Sequence, residues 1–145
     1  MKRILNSVSA CFGLFISAAA SAAPAMPLST LEILKVASVS CAVEDVSDGR
    51  EQTRCDHNGP NIKVYVLERG YGGQPNVTPD GQEVDGVRAP VCNQGEGLVA
   101  CNGSGTTVGH LYTFDLGNKN GGWFEFSNTS LVPPHNRLSV KLYIR

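Results

Sequence analysis

Leu138-Ser139-Val140-Lys141-Leu142-Tyr143-Ile144-Arg145 is the stretch that decides the fold. Leu138, Val140, Leu142 and Ile144 alternate with Ser139, Lys141, Tyr143 and Arg145, the period of two that puts successive side chains on opposite faces of a strand. One face is apolar and the other polar. Such a strand belongs to an antiparallel sheet solvated on one side, and hence to two packed sheets more readily than to a parallel α/β sheet buried on both.

Working back from this strand, Pro133-Pro134 breaks the chain, and Trp123 to Asn128 reads as a strand with Phe124 and Phe126 inward. Gly117-Asn118-Lys119-Asn120-Gly121-Gly122 is a turn. Before it, Thr106 to Leu116 places Val108, His110, Tyr112, Phe114 and Leu116 on one face. Val87 to Cys92 and Gly97 to Cys101 form a pair. Thr78-Pro79-Asp80-Gly81 is a turn, because Pro presets its second position and Gly accepts positive φ, and it separates Asn76-Val77 from Gln82 to Val84. Ile62 to Arg69 alternates Ile62, Val64 and Val66 against Lys63, Tyr65 and Leu67. Glu51 to Cys55 is a shorter run. Leu31 to Ser40 is apolar and β-branched without strict alternation, as a doubly buried or bulged strand would be. The expectation is an all-β antiparallel two-sheet sandwich of about seven or eight strands, Ig-like in general shape, with no helix.

The composition agrees. Over residues 24–145 there are 15 Gly and 8 Pro, an excess that disfavours a helical protein. Setting aside Lys2 and Arg3 leaves ten basic residues against thirteen acidic ones, a net charge of −3 without a basic cluster. That argues against a nucleic-acid or anionic-membrane surface. Residues 1–23 read as an export signal: Lys2 and Arg3, the apolar stretch Ala10 to Ala20, and the small-residue triplet Ala20-Ser21-Ala22, with cleavage expected near Ala22 or Ala23. The expectation is a single domain over residues 24–145, monomeric, periplasmic or fully secreted, without stable membrane insertion once the signal is removed.

Four cysteines remain beyond the leader: Cys41, Cys55, Cys92 and Cys101. An even number in an oxidising compartment reads as two disulfides, and three pairings are open. The gaps of 14 and 9 residues each bracket a turn, which favours Cys41 with Cys55 and Cys92 with Cys101, each stapling a hairpin. Loop closure makes each worth about 3 kcal/mol. There is no C-x-x-C and no His at ligand spacing after a Cys pair, so neither a metal nor a cofactor is expected.

The strings Cys55-Asp56-His57-Asn58-Gly59, Lys63-Val64-Tyr65-Val66, Gly70-Tyr71-Gly72, Phe124-x-Phe126-x-x-Thr129-Ser130 and Ser139-Val140-x-Leu142-Tyr143-Ile144 carry a resemblance. On them the chain resembles the YolA-like small secreted bacterial proteins, a domain of unknown function. The resemblance implies an exported single β domain and no reaction; the disulfide reading rests on cysteine count and spacing alone.

Asp56-His57 is the densest polar pair. Adjacent strand residues face opposite ways, so Asp56 does not orient His57 in triad fashion, and a local turn before Asn58-Gly59-Pro60 is the expected role of the aspartate. His110 lies on the apolar face between Val108 and Tyr112 and is expected to be a neutral histidine in or near the core. Ser104 is not in a G-x-S-x-G elbow. Glu44 to Glu51 is acidic but fails the register of an EF-hand loop and reads as a solvated hairpin tip. Tyr71 sits in a Gly-rich loop. Trp123 and Tyr143 alternate away from core residues, so each is either outward-facing or, for Trp123, the filling of a second buried face. By elimination, the function expected is a small non-catalytic binding module for a protein or an envelope glycan, with Asp56, His57, Tyr71 and Trp123 as candidate contacts. The alternative is a secreted hydrolase or nuclease-like toxin using His57 or His110.

Overall fold

The computed structural model describes residues 24–145 apart from 80–83, 96, 104 and 118–119. The leader, Ser104, the Asp80-Gly81 turn and part of the 117–122 turn therefore lie outside the described residues. Nine strands and no helix are found among those described: β1 (Thr30–Ser38), β2 (Ala42–Asp45), β3 (Ile62–Arg69), β4 (Asn76–Pro79), β5 (Gly86–Gln94), β6 (Gly97–Ala100), β7 (Thr107–Gly117), β8 (Gly122–Thr129) and β9 (Arg137–Ile144). They form a six-stranded sheet in the order β2-β1-β3-β7-β5-β6 and a three-stranded sheet β4-β8-β9. Every pairing between these nine strands is antiparallel.

The period-two runs lie where the sequence placed them. Leu142 and Ile144 on β9, and Phe124 and Phe126 on β8, are buried against Val64 and Val66 of β3 and Tyr112, Phe114 and Leu116 of β7. The core is aromatic at its centre. Phe114 meets Phe124 at 5.6 Å and Phe126 at 5.8 Å between ring centroids, in the tilted geometry that ring quadrupoles favour. β1 carries the bulge its broken alternation suggested: Ile33 pairs with Val66 and Lys35 with Tyr65, leaving Leu34 unpaired.

The strand count of nine exceeds the seven or eight expected, and two details differ. β2 is a strand the sequence did not announce, because its four residues are mostly exposed and carry no alternation of apolar residues. Glu51 to Cys55 is not a strand of either sheet. It runs along the outer edge of β9, with Thr53 N–H donating to the Tyr143 carbonyl and Tyr143 N–H to that of Glu51. An edge covered this way offers fewer open backbone groups to another chain.

Both local disulfides are formed, Cys41–Cys55 and Cys92–Cys101. The second staples the β5–β6 hairpin. The first ties the β1–β2 turn to the segment that follows rather than to a hairpin partner. The acidic tip is an ion-paired loop: Arg50 meets Asp48 at 2.6 Å and Glu44 at 3.0 Å.

Candidate functional site

Strict alternation along β3 places Glu68 on the same phase as Ile62, Val64 and Val66. The structure buries it completely, at 0% exposure. A buried carboxyl group must find partners. Asn128 Nδ2, from the end of β8, donates to Oε2 at 2.5 Å, and the Gly72 N–H donates to Oε1 at 3.3 Å. Register supplies the rest. Glu68 pairs with His110 on β7, and Arg88 on β5 pairs with Tyr112. His110 Nδ1 and Arg88 Nη2 thus lie 3.4 and 3.8 Å from Glu68 Oε1.

Arg88 Nη2 also donates to His110 Nδ1 at 2.9 Å. Burial, and then the Arg88 charge, lower the His110 pKa below its ordinary value, against an opposing pull from Glu68. The ring is therefore neutral near pH 7, and its Nδ1 lone pair is occupied by the guanidinium. Tyr71 packs edge-on against this ring at 6.0 Å, its hydroxyl donating to the Thr107 carbonyl.

Beside this cluster opens a cleft of about 500 Å³, lined among others by Gly72, Gln74, Asp85, Arg88, Tyr112 and Leu131. Its walls depend on glycine. A Cβ on Gly72 would overlap the Asn128 amide and the Glu68 carboxyl group, and one on Gly86 would overlap the Phe114 ring. Tyr112 is 2% exposed, and its hydroxyl is enclosed beside Glu68 and Arg88 without good hydrogen-bond geometry to either. Burial, reinforced by Glu68, pushes its pKa up to about 12.

The residues singled out in the sequence do not form one site. Asp56 Oδ1 accepts from the Asn58 N–H at 2.9 Å, the local turn expected of it. His57 is 0% exposed and sits between Ser38 Oγ (2.9 Å from Nδ1) and Glu44 Oε2 (3.3 Å from Nε2). This has the residue types of a hydrolytic triad, yet Ser38 is itself buried and its oxygen already accepts from the Cys41 N–H. Burial works to raise the Glu44 pKa, but N–H donation from Arg54 and Cys55, with His57, outweighs it and lowers the value. Tyr71 is half-buried and braces His110. Trp123 faces outward at 46% exposure, stacked edge-on with Tyr143 at 5.3 Å, which corrects the second-buried-face reading. Trp123 opens β8, whereas Gly72, next to Tyr71, bridges Ser130 just beyond its end, so the two aromatics lie roughly 20 Å apart.

Sequence reading missed Glu68, Arg88 and Asn128. A charged residue in phase with Ile62, Val64 and Val66 was the available signal for Glu68. Arg88 and Asn128 join it only through strand pairing and sheet packing.

The architecture is that of a small all-β sandwich with a glycine-walled cleft at one end. A family model described as Domain of unknown function (DUF4879) matches residues 23–144, and the chain belongs to that family. Neither a curated protein nor a solved structure matches it.

Proposed function

We propose that the protein is an exported, non-catalytic binding module that takes part of an envelope glycan into the cleft beside Arg88 and Tyr112. The carrying observation is the Arg88 guanidinium, whose side chain is 41% exposed in the wall of a concave cleft. A sugar ring asks for donors and acceptors around an apolar floor. Arg88 and Gln74 supply the first, Asp85 the second, and Leu131 with the aromatic wall the third. A concave site suits such a ligand better than it suits a protein partner, which would call for a protruding loop. Two disulfides agree with an oxidising compartment.

Hydrolysis fits this geometry less well. A general acid or base must reach substrate, whereas Glu68 is enclosed by Asn128 and Gly72, and His110 Nδ1 is held by Arg88. The test is sedimentation with insoluble peptidoglycan and polysaccharides, with release of soluble sugar measured in parallel. Arg88→Ala is expected to abolish co-sedimentation and Trp123→Ala to preserve it. Binding lost in Trp123→Ala but kept in Arg88→Ala would move the site to the outer aromatic pair, and sugar release abolished by His110→Ala would establish the enzyme instead.

A further inference from the structure

The loop tied by Cys41–Cys55 holds more than a staple. Cys41 Sγ, a Glu44 carboxylate oxygen, Cys55 Sγ and a ring nitrogen of His57 all lie within 4.8 Å of one another. We propose that reduction of this disulfide creates a zinc site with Cys41, Glu44, Cys55 and His57 as its four ligands.

The donor set is the first argument. Two thiolates, an imidazole and a carboxylate are the ligand types zinc takes, and its bond lengths require ligand atoms about 3.3–3.8 Å apart at the corners of a tetrahedron. His57 Nε2 and Glu44 Oε2 already stand at 3.3 Å. The chain delivers the ligands as Cys41-x-x-Glu44 and Cys55-x-His57, two short spacings from facing segments, which a search for C-x-x-C passes over.

The surroundings are the second. In the disulfide form a continuous polar chain satisfies every member: the Cys41 N–H donates to Ser38 Oγ, the Ser38 hydroxyl donates to His57 Nδ1, and His57 Nε2–H donates to Glu44. A hydroxyl rotates freely between donating and accepting. Moving the imidazole proton from Nε2 to Nδ1 lets the ring donate to Ser38 and frees the Nε2 lone pair for the metal. A metal-bound histidine makes just such an outer hydrogen bond. Glu44 is likewise fixed, by the N–H groups of Arg54 and Cys55 and by Arg50. Two thiolates and a carboxylate around Zn²⁺ leave a net charge of −1, which Arg50 at 3.0 Å from Glu44 offsets.

The chemistry balances with a phosphine as reductant. The phosphine gives two electrons to the S–S bond and becomes the phosphine oxide by taking oxygen from water, whose two hydrogens end on the thiols. Zn²⁺ then displaces those two protons. Cys92–Cys101 provides the internal contrast: among the described residues no such group of metal-ligating side chains surrounds it, and the Thr107 hydroxyl approaches its sulfurs.

The experiment uses the whole exported chain, reduced with a phosphine, desalted without oxygen and titrated with Zn²⁺ against a chromophoric chelator, and separately with Co²⁺. The reduced protein is expected to bind one equivalent of zinc and the oxidised protein none. The Co²⁺ form is expected to show intense visible bands of tetrahedral coordination and a thiolate charge-transfer band. Cys92Ser/Cys101Ser should keep both signals and Cys41Ser/Cys55Ser should lose them. Ser38→Ala, which removes the outer contact to His57 and the acceptor of the Cys41 N–H, should weaken zinc roughly tenfold to a hundredfold. No stoichiometric zinc in the reduced chain, a Co²⁺ spectrum without thiolate character, or zinc retained by Cys41Ser/Cys55Ser would each overturn the proposal. Because the Co²⁺ spectrum is read on the unmutated reduced chain, a variant that fails to fold does not decide the matter. Glycan binding at the Arg88 cleft is measured on the oxidised protein and stands or falls separately.

Discussion

Replacing Tyr112 by phenylalanine removes a single oxygen and is expected to stabilise the protein. The ring stays where it is, parallel to Phe114 within 3° at 6.0 Å and tilted against Phe126 at 5.2 Å, so no packing is lost. What disappears is a buried hydroxyl with no partner, a group whose enclosure costs about 1–3 kcal/mol. Taking the lower end, the variant should gain about 1 kcal/mol, which raises Tm by about 3–5 °C in a domain of this size. The ionisation of the phenol adds a second signature. Burial lifts its folded pKa to about 12 from the ordinary 10.0, so the neutral form is the one the fold favours. That contribution is intact below pH 10 and is lost as pH rises through the folded value. Phenylalanine has nothing to lose. The stability gap should therefore widen above pH 10, by at most about 1.4 kcal/mol per pH unit. Urea unfolding of both proteins at pH 7.5 and pH 10.5 reads both effects. A variant that is 1 kcal/mol less stable at pH 7.5 would show that the hydroxyl has a hydrogen-bond partner in the folded protein.

Two further outcomes follow from the same cluster. Gly109→Ala would drive a Cβ into the Glu68 carbonyl oxygen of the neighbouring strand, where backbone cannot yield, and is expected to cost about 3 kcal/mol by thermal melting; an unchanged Tm would deny the close approach of β3 and β7. His110 should remain neutral in the folded protein at pH 6.5, because burial first, and Arg88 next, hold its pKa below that of a free imidazole. The unfolded chain then takes up the proton first, so this contribution is intact above pH 6.5 and is lost as pH falls through the lowered value. Imidazole carbon shifts in an NMR titration follow it directly, and a midpoint above 6.5 would contradict the assignment.

Legibility in this chain follows the reach of each interaction. Period two is a local property, so β3, β7, β8 and β9 could be read from single runs, down to the inward Phe124 and Phe126. The cysteine pairs were readable because both are local, 14 and 9 residues apart. β2 and the 51–55 segment were not, since β2 owes its place to pairing with β1 and the other to lying along β9, and neither carries a pattern of its own. His57 shows the same limit. Its partners Ser38 and Glu44 stand 19 and 13 residues away, and nothing in Asp56-His57-Asn58 names them.

The cleft lies between these extremes. Alternation assigns each residue a face without regard to its chemistry, so a charged side chain that falls in phase with Ile62, Val64 and Val66 is carried inward along with them. Once Glu68 is committed to the interior, the fold must bring it partners, and the neighbouring strands do so at fixed register: His110 directly opposite on β7 and Arg88 from β5, two pairs further along. The pairing brings three strands' polar side chains to one end of the sandwich. Asn128 closes the group from the second sheet, which holds the Gly72 backbone against it and leaves the glycine-walled opening beside Arg88. A polar residue on the inward phase of an otherwise apolar strand was therefore the sequence's pointer to this site. The exposed aromatics and the Asp56-His57 pair drew the reading elsewhere because they are conspicuous in composition, whereas Glu68 is conspicuous only in phase.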